Sequence, residues 1–344
     1  MNESKKKKII KNKGGAVYVF LQSNGLVQAR AKRRPWLIAT AVLALLAVAL
    51  ALIAAFVVFR PSDGHWRKQV EIATFEDLIA LAESSGFNND YVLTADIEIP
   101  AGGGFSIGSA EAPFTGTFDG QGHTISYTNS DATGCAPLFG YVAEGAEISR
   151  LCVAEQWQEA PEHFAAGIAI SNAGTIRDCY VRGFTVSFGG YAVAGGVAAY
   201  NTGRIERCVA EVSVTKTGSE FEMRSSVGAV AGQNGGIVEN CVARYSYQGF
   251  RELSIEDIYE EGLTNAGIGA VCGRSSGGEV DSCAAVSAEG LVLSDAREGE
   301  EGNISFRPAE EIYRADYLFD TLGYSHNVWV CSASGELSLY TEEE

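Results

Sequence analysis

One motif constrains this chain more than any other, and it returns five times between residues 136 and 288. A branched apolar residue precedes two polar residues and then a small apolar one. The copies are Ile148-Ser149-Arg150-Leu151, Ile176-Arg177-Asp178-Cys179, Ile205-Glu206-Arg207-Cys208, Val238-Glu239-Asn240-Cys241 and Val280-Asp281-Ser282-Cys283. Their last positions lie 28, 29, 33 and 42 residues apart. Gly174, Gly203, Gly236 and Gly278 stand two residues before the leading Ile or Val, and Gly145 stands one residue earlier in the first copy. Asn172, Asn201 and Asn234 add an Asn-x-Gly to three copies. Repeats of this length mean stacked structural units.

Composition decides what the unit is. A helical repeat needs Ala, Leu, Glu and Lys at a period of 3.6. Here the copies are rich in Gly, Val, Ile, Tyr and Thr, which disfavour helix and suit strands. Gly167-Ile168-Ala169-Ile170 and Gly196-Val197-Ala198-Ala199-Tyr200 are strand-sized runs between turn residues. One copy cannot bury its own apolar face. Stacked as coils, each pairs with the next at about 4.8 Å. The expected fold is all-β, a parallel β-helix over 70–295, with a segment at 296–344 closing its far end. Thr74 followed by Asp77 resembles a capping box, so a helix is expected over 75–83, covering the open edge of the first coil. A second helix or irregular cap is expected over 309–322.

The stretch ahead of the repeats carries a resemblance. Phe114-Thr115-Gly116-Thr117-Phe118-Asp119-Gly120-Gln121-Gly122-His123-Thr124-Ile125, followed by Pro137-Leu138-Phe139-Gly140-Tyr141-Val142, is similar to GLUG-motif repeat proteins. Phe75-Glu76-Asp77-Leu78 and Tyr91–Ile97 look like that family's entry segment, and Tyr324–Leu339 like its closing segment. The resemblance spans about residues 70–340. It implies a bacterial surface protein with a right-handed β-helix, and says little about ligand or activity. This chain departs from the family by placing Cys at a Leu-like position in four copies and by an insertion in the fourth repeat.

Charge is split along the chain. The first 35 residues hold ten Lys or Arg and one Glu, whereas the remainder holds 42 acidic and 16 basic residues. An acidic body repels phosphate backbones, which argues against nucleic acid as a partner. Residues 36–59 are 24 residues without a charge, about 36 Å as a helix and long enough for a bilayer core. With Lys32, Arg33 and Arg34 just before it, the positive-inside rule makes 1–35 a cytoplasmic lead. It makes 36–59 a single-pass signal-anchor in membrane lipid, 60–69 a linker, and the body extracellular. A cleaved signal peptide is the rival reading, but its apolar core would be only about 7–15 residues.

Chemistry is scarce. The histidines form no His-Glu-x-x-His. Asp119 and His123 read either as an acid–base pair or as turn and wall residues. Asp178, Glu206, Glu239 and Asp281 read as a carboxylate row at one corner, either solvated or holding Ca²⁺. Cys179, Cys208, Cys241 and Cys283 take one position of the repeat and are expected as a buried, reduced ladder. Side-by-side Cβ vectors suit bridging poorly, and a line of thiols gives no tetrahedral closure. Cys135, Cys152, Cys272 and Cys331 lie off that row. No cofactor or metal site is expected.

Two stretches interrupt the repeat, 155–164 and 247–265, and insertions in solenoids become loops. They offer Trp157, His163 and Phe164, then Tyr247, Phe250, Arg251 and Tyr259 as binding candidates for a glycan or surface-protein ligand. The resulting expectation is a membrane-anchored surface protein that presents a β-helix for adhesion or ligand interaction. The alternative is a surface polysaccharide-degrading enzyme, a lyase or glycoside hydrolase.

Overall fold

The computed structural model describes residues 8–11, 17–23, 26–31 and 67–341, apart from 103, 129–135, 160–162, 189–190, 218–224, 250–266, 288–303 and 333–336. The chain divides into two compact units, 1–66 and 67–344. The apolar segment 36–59 lies outside the described residues. Among the described residues no helix is long and apolar enough to cross a membrane. In the first unit, Lys8–Lys11, Val17–Ser23 and Leu26–Ala31 form a three-stranded antiparallel sheet, an element the basic composition of the lead does not announce.

The second unit is a parallel β-solenoid. Sheet I has eight strands running from Gln69–Ile72 to Glu279–Asp281, and sheet II has nine, from Ile97–Ile99 to Ile304–Phe306. Sheet III has four, His163–Ala166, Ala192–Gly195, Ser226–Gly228 and Ile268–Gly269. Sheet IV has five, from Phe139–Val142 to Cys272–Ser275. One circuit runs Thr175–Arg177 in sheet I, Tyr180–Phe188 in II, Ala192–Gly195 in III and Ala198–Asn201 in IV, and re-enters sheet I at Arg204.

The leading residues of the motif stack in register through sheet I. Phe118, Ile148, Ile176, Ile205, Val238 and Val280 face one another across successive coils. All are buried. The second polar residue of each copy makes the corner. Arg150, Asp178, Arg207, Asn240 and Ser282 take the left-handed conformation, with φ of 51°, 53°, 49°, 53° and 50°. Such a conformation costs a non-glycine residue about 1–2 kcal/mol. Bonds to the next coil offset that cost: Asp178 N donates to Glu206 O at 3.1 Å, and Arg207 N to Glu239 O at 3.1 Å.

The entry helix forms over Phe75–Ala82. Thr74 N donates to Asp77 Oδ2 at 2.9 Å, and Asp77 N to Thr74 Oγ1 at 3.2 Å, the two reciprocal bonds of a capping box. The Ala73 and Thr74 donors hold the Asp77 carboxyl below its usual range. Leu78 and Leu81 are buried in the solenoid core, and the helix packs on Ile97–Ile99, the edge strand of sheet II.

Two expectations about the wall change. The described residues of the stretch 155–164 belong to the wall rather than to an excursion. Trp157–Glu159 is a strand of sheet II, paired in continuous register with Tyr180–Phe188 beyond the Cys152–Ala154 strand. Its polar Gln158 is accommodated by a two-way bond with Ala166, donating to its O at 2.8 Å and accepting from its N at 3.2 Å. In the C-terminal segment Ile304–Phe306 adds the last strand of sheet II at the far end, and the described residues after it lie along the solenoid rather than across that end. Ile312, Leu318, Leu322, Tyr324, Trp329, Leu337 and Leu339 pack on the outward face of sheet II, against Cys152, Tyr180, Val209, Val242 and Ala284. That face is apolar from coil to coil and would otherwise be wet.

Candidate functional site

Three of the side-chain lines that run along the solenoid axis bear on a candidate site, and two of these hold the wall together. The first is the thiol row. Cys179, Cys208, Cys241 and Cys283 are buried and free. Each thiol points at the carbonyl two residues earlier, at 3.2, 3.4, 3.3 and 3.3 Å. Burial pushes the Cys179 and Cys241 thiols well above their ordinary range. Thiols buried in this way are inert. Thiol labelling in denaturant without reductant should therefore modify all four, and labelling of the folded protein none. Failure to label the denatured chain would mean that the row is bridged.

The second is an ion-pair line at the corner between sheets I and II. The expected carboxylate row is in fact two rows. Asp119, Ser149, Arg177, Glu206, Glu239 and Asp281 share one register, while Asp178 belongs to the left-handed position beside it. Asp178 is 2% exposed and sits between Arg177 Nη1 at 3.0 Å and Arg207 Nε at 2.9 Å. Arg207 also meets Glu206 at 2.8 Å, and Arg204 bonds Glu239. The Arg207 guanidinium is held in its charged form, first by Asp178. Arginine therefore occupies Asp178, Glu206 and Glu239, three of the four carboxylates a calcium ion would need, and Asp281 accepts from Ser282 Oγ at 3.0 Å. No group of three potential metal ligands occurs among the described residues.

Asp119 and His123 do not meet as an acid–base pair. Arg150 takes both oxygens of Asp119, with Nε at 2.9 Å from Oδ1, and the Gln121 amide adds a bond at 3.0 Å. His123 Nδ1 lies 3.2 Å from Asp96 Oδ1 instead.

The third line faces outward. Sheet III folds back on sheet IV, so that Ala192–Gly195 touches both Ala198–Asn201 and Ala231–Asn234. Glycine permits this approach. A Cβ on Gly195 would fall 2.0 Å from Ala198 O, and one on Gly228 2.3 Å from Ala231 O. The elbow is filled by Ala166, Val193 and Ala199, with Tyr191 and Tyr200 packed over them. On its sheet IV side, Tyr141, Ser171, Tyr200, Gln233 and Arg274 form one outward row. Phe164, 43% exposed, sets its ring edge-on to Tyr200 at 5.4 Å, and Tyr141 is 38% exposed. Burial, with the Tyr191 hydroxyl beside it, pushes the Tyr200 phenol up to about 12.

The candidate binding residues thus separate. Phe164 belongs to the aromatic elbow. Trp157 is half-buried on the outer face of sheet II, in a row with Thr185, Ser213 and Ser246. His163 opens the sheet III strand, and its side chain lies outside the described residues. Tyr247 is not a surface residue. Alternation along Val242–Gln248 turns Tyr245 and Tyr247 inward, and the Tyr247 hydroxyl donates to Gly269 O at 2.9 Å. Phe250, Arg251 and Tyr259 lie outside the described residues. Tyr141 and Tyr200 were missed. Their signal in the sequence is the tyrosine at the same strand position two coils apart. No family model matches this chain, and no curated protein matches it.

Proposed function

We propose that the protein is a single-pass membrane protein of the bacterial cell surface whose solenoid is presented outside for adhesion or ligand interaction. The observation that carries this is the order of its parts. A basic lead precedes 24 uncharged residues, and an acidic β-solenoid follows them. The GLUG-like stretch 114–142 supports the same reading and, with it, a right-handed winding of the coils. An outward aromatic cluster on an otherwise regular wall supports ligand contact, because exposed aromatic groups mark interaction sites. Polysaccharide cleavage has less in its favour, since Asp119 and Asp178 are held by arginine rather than left to handle protons.

Protease added to intact cells should remove the body beyond Arg60 and spare the basic lead. A protected body would end this reading. A mature chain in the medium beginning near Arg60 would replace the anchor with a cleaved signal.

A further inference from the structure

We infer that the elbow between sheets III and IV binds an uncharged glycan laid along the solenoid axis, its sugar faces on Tyr141, Tyr200 and Phe164 and its hydroxyls on Ser171 and Gln233. The inference deepens the reading above and rests on it for its biological setting, but not for its chemistry.

The row itself argues for this ligand. Tyr141 and Tyr200 occupy the same register position two coils apart, about 9.6 Å at the spacing of parallel strands. Ser171 lies between them, so the intervening coil leaves a shelf flanked by two rings. Phe164 extends the aromatic floor sideways from Tyr200. A pyranose presents C–H bonds on one face and hydroxyls around its edge. The C–H face carries slight positive charge and suits the negative face of an aromatic ring. The hydroxyl edge needs neutral donors and acceptors, which Ser171, Gln233 and the tyrosine hydroxyls supply. Successive sugars along a chain can then meet successive coils.

Charge decides against a polyanion. Tyr141, Phe164, Ser171, Tyr200 and Gln233 are uncharged side chains, the row's single cation, Arg274, stands one coil past Gln233 at its end, and the body around them is strongly acidic. Size decides against a folded protein. A stable protein interface buries about 800 Å² on each partner, and this shelf offers only a handful of side chains.

The test uses the full chain in lipid nanodiscs, because sugar-headed detergents would compete. Uncharged hexasaccharides of glucose, xylose and N-acetylglucosamine are titrated by calorimetry, with polygalacturonate as the anionic control. At least one uncharged oligosaccharide should bind, equally well at neutral and mildly alkaline pH. Tyr141→Ser places at this exposed position the residue that Ser171 already occupies in the next coil. It should keep the thermal melt and weaken binding about tenfold, the loss of one stacked ring. Tyr200→Phe, which keeps the ring, should bind within about threefold of the parent. Three results would each overturn the inference: no uncharged glycan binds, only polygalacturonate binds, or Tyr141→Ser binds as tightly as the parent. Cell-surface proteolysis reads out separately. A body shielded inside the cell whose purified form binds glycan through Tyr141 would sink the surface reading and leave this site standing. An exposed body without glycan binding would do the reverse.

Discussion

Asn201→Leu should cost the solenoid on the order of 3 kcal/mol, although the two side chains are close in size. Asn172, Asn201 and Asn234 are buried, and their amides form a continuous line across three coils. Asn172 Nδ2 donates to Asn201 Oδ1 at 2.9 Å, and Asn201 Nδ2 to Asn234 Oδ1 at 2.9 Å. Asn201 Nδ2 also reaches Ile237 O at 3.2 Å. The line ends on Glu279 O, 3.0 Å from Asn234 Nδ2. Leucine at 201 removes all three inter-coil bonds and strands groups on either side in an apolar interior. Each buried polar group left unmatched costs about 1–3 kcal/mol, and members of a chain polarise one another. The measurement is urea or thermal unfolding against the parent chain. A loss below about 0.5 kcal/mol would show that the amides contribute packing alone.

The same asparagines show how far the sequence could be read. Asn-x-Gly at three regular positions is visible at once, and turn chemistry accounts for it without a ladder. Only the stacking shows that the side chains turn inward, because inwardness depends on which residues lie above and below. There the line is bracketed by Val142 and Ser275, neither of them asparagine. The apolar row from Ile148 to Val280 and the buried cysteines were legible because they recur at fixed offsets and need no partner. The strand at Trp157–Glu159 was not, since Glu-Gln-Trp-Gln-Glu is polar and its place depends on the Gln158 bonds to Ala166. Tyr247 was misread for the opposite reason: it adjoins an insertion, yet strand alternation carries through it. The C-terminal segment misled because nothing local distinguishes the side of a solenoid from its end. The antiparallel sheet in the first 31 residues had a local signal. Ser23 pairs with Leu26, and Asn24-Gly25 between them in the sequence is the dipeptide favoured in two-residue hairpin loops.

Neighbouring glycines offer the sharpest test of the coil geometry. Gly236→Ala should destabilise the solenoid by more than about 4 kcal/mol, and Gly235→Ala should leave it unchanged or gain about 0.4–1 kcal/mol. A Cβ on Gly236 would lie 2.1 Å from Gly203 O and 2.6 Å from Thr202 C. These are backbone atoms of the coil below, fixed by their own bonds: Ile237 N donates to Gly203 O at 2.8 Å. Relief would require two coils to part, and with them the sheet I and sheet IV ladders on either side. The same crowding recurs at Gly203, where a Cβ would fall 2.1 Å from Gly174 O, and at Gly174, where it would fall 2.4 Å from Ala146 O. That recurrence is the physical reason the glycine returns before Ile176, Ile205 and Val238. Gly235 is different, since the nearest atom to its Cβ would be Ser276 O at 3.7 Å. Its counterparts in the two preceding coils are Ala173 and Thr202, so this position already accepts side chains. The gain from alanine there comes from the unfolded chain, which loses conformational freedom. Chemical denaturation of the two variants in parallel reads the difference, and equal stabilities would mean that the coils do not approach as closely as these distances require.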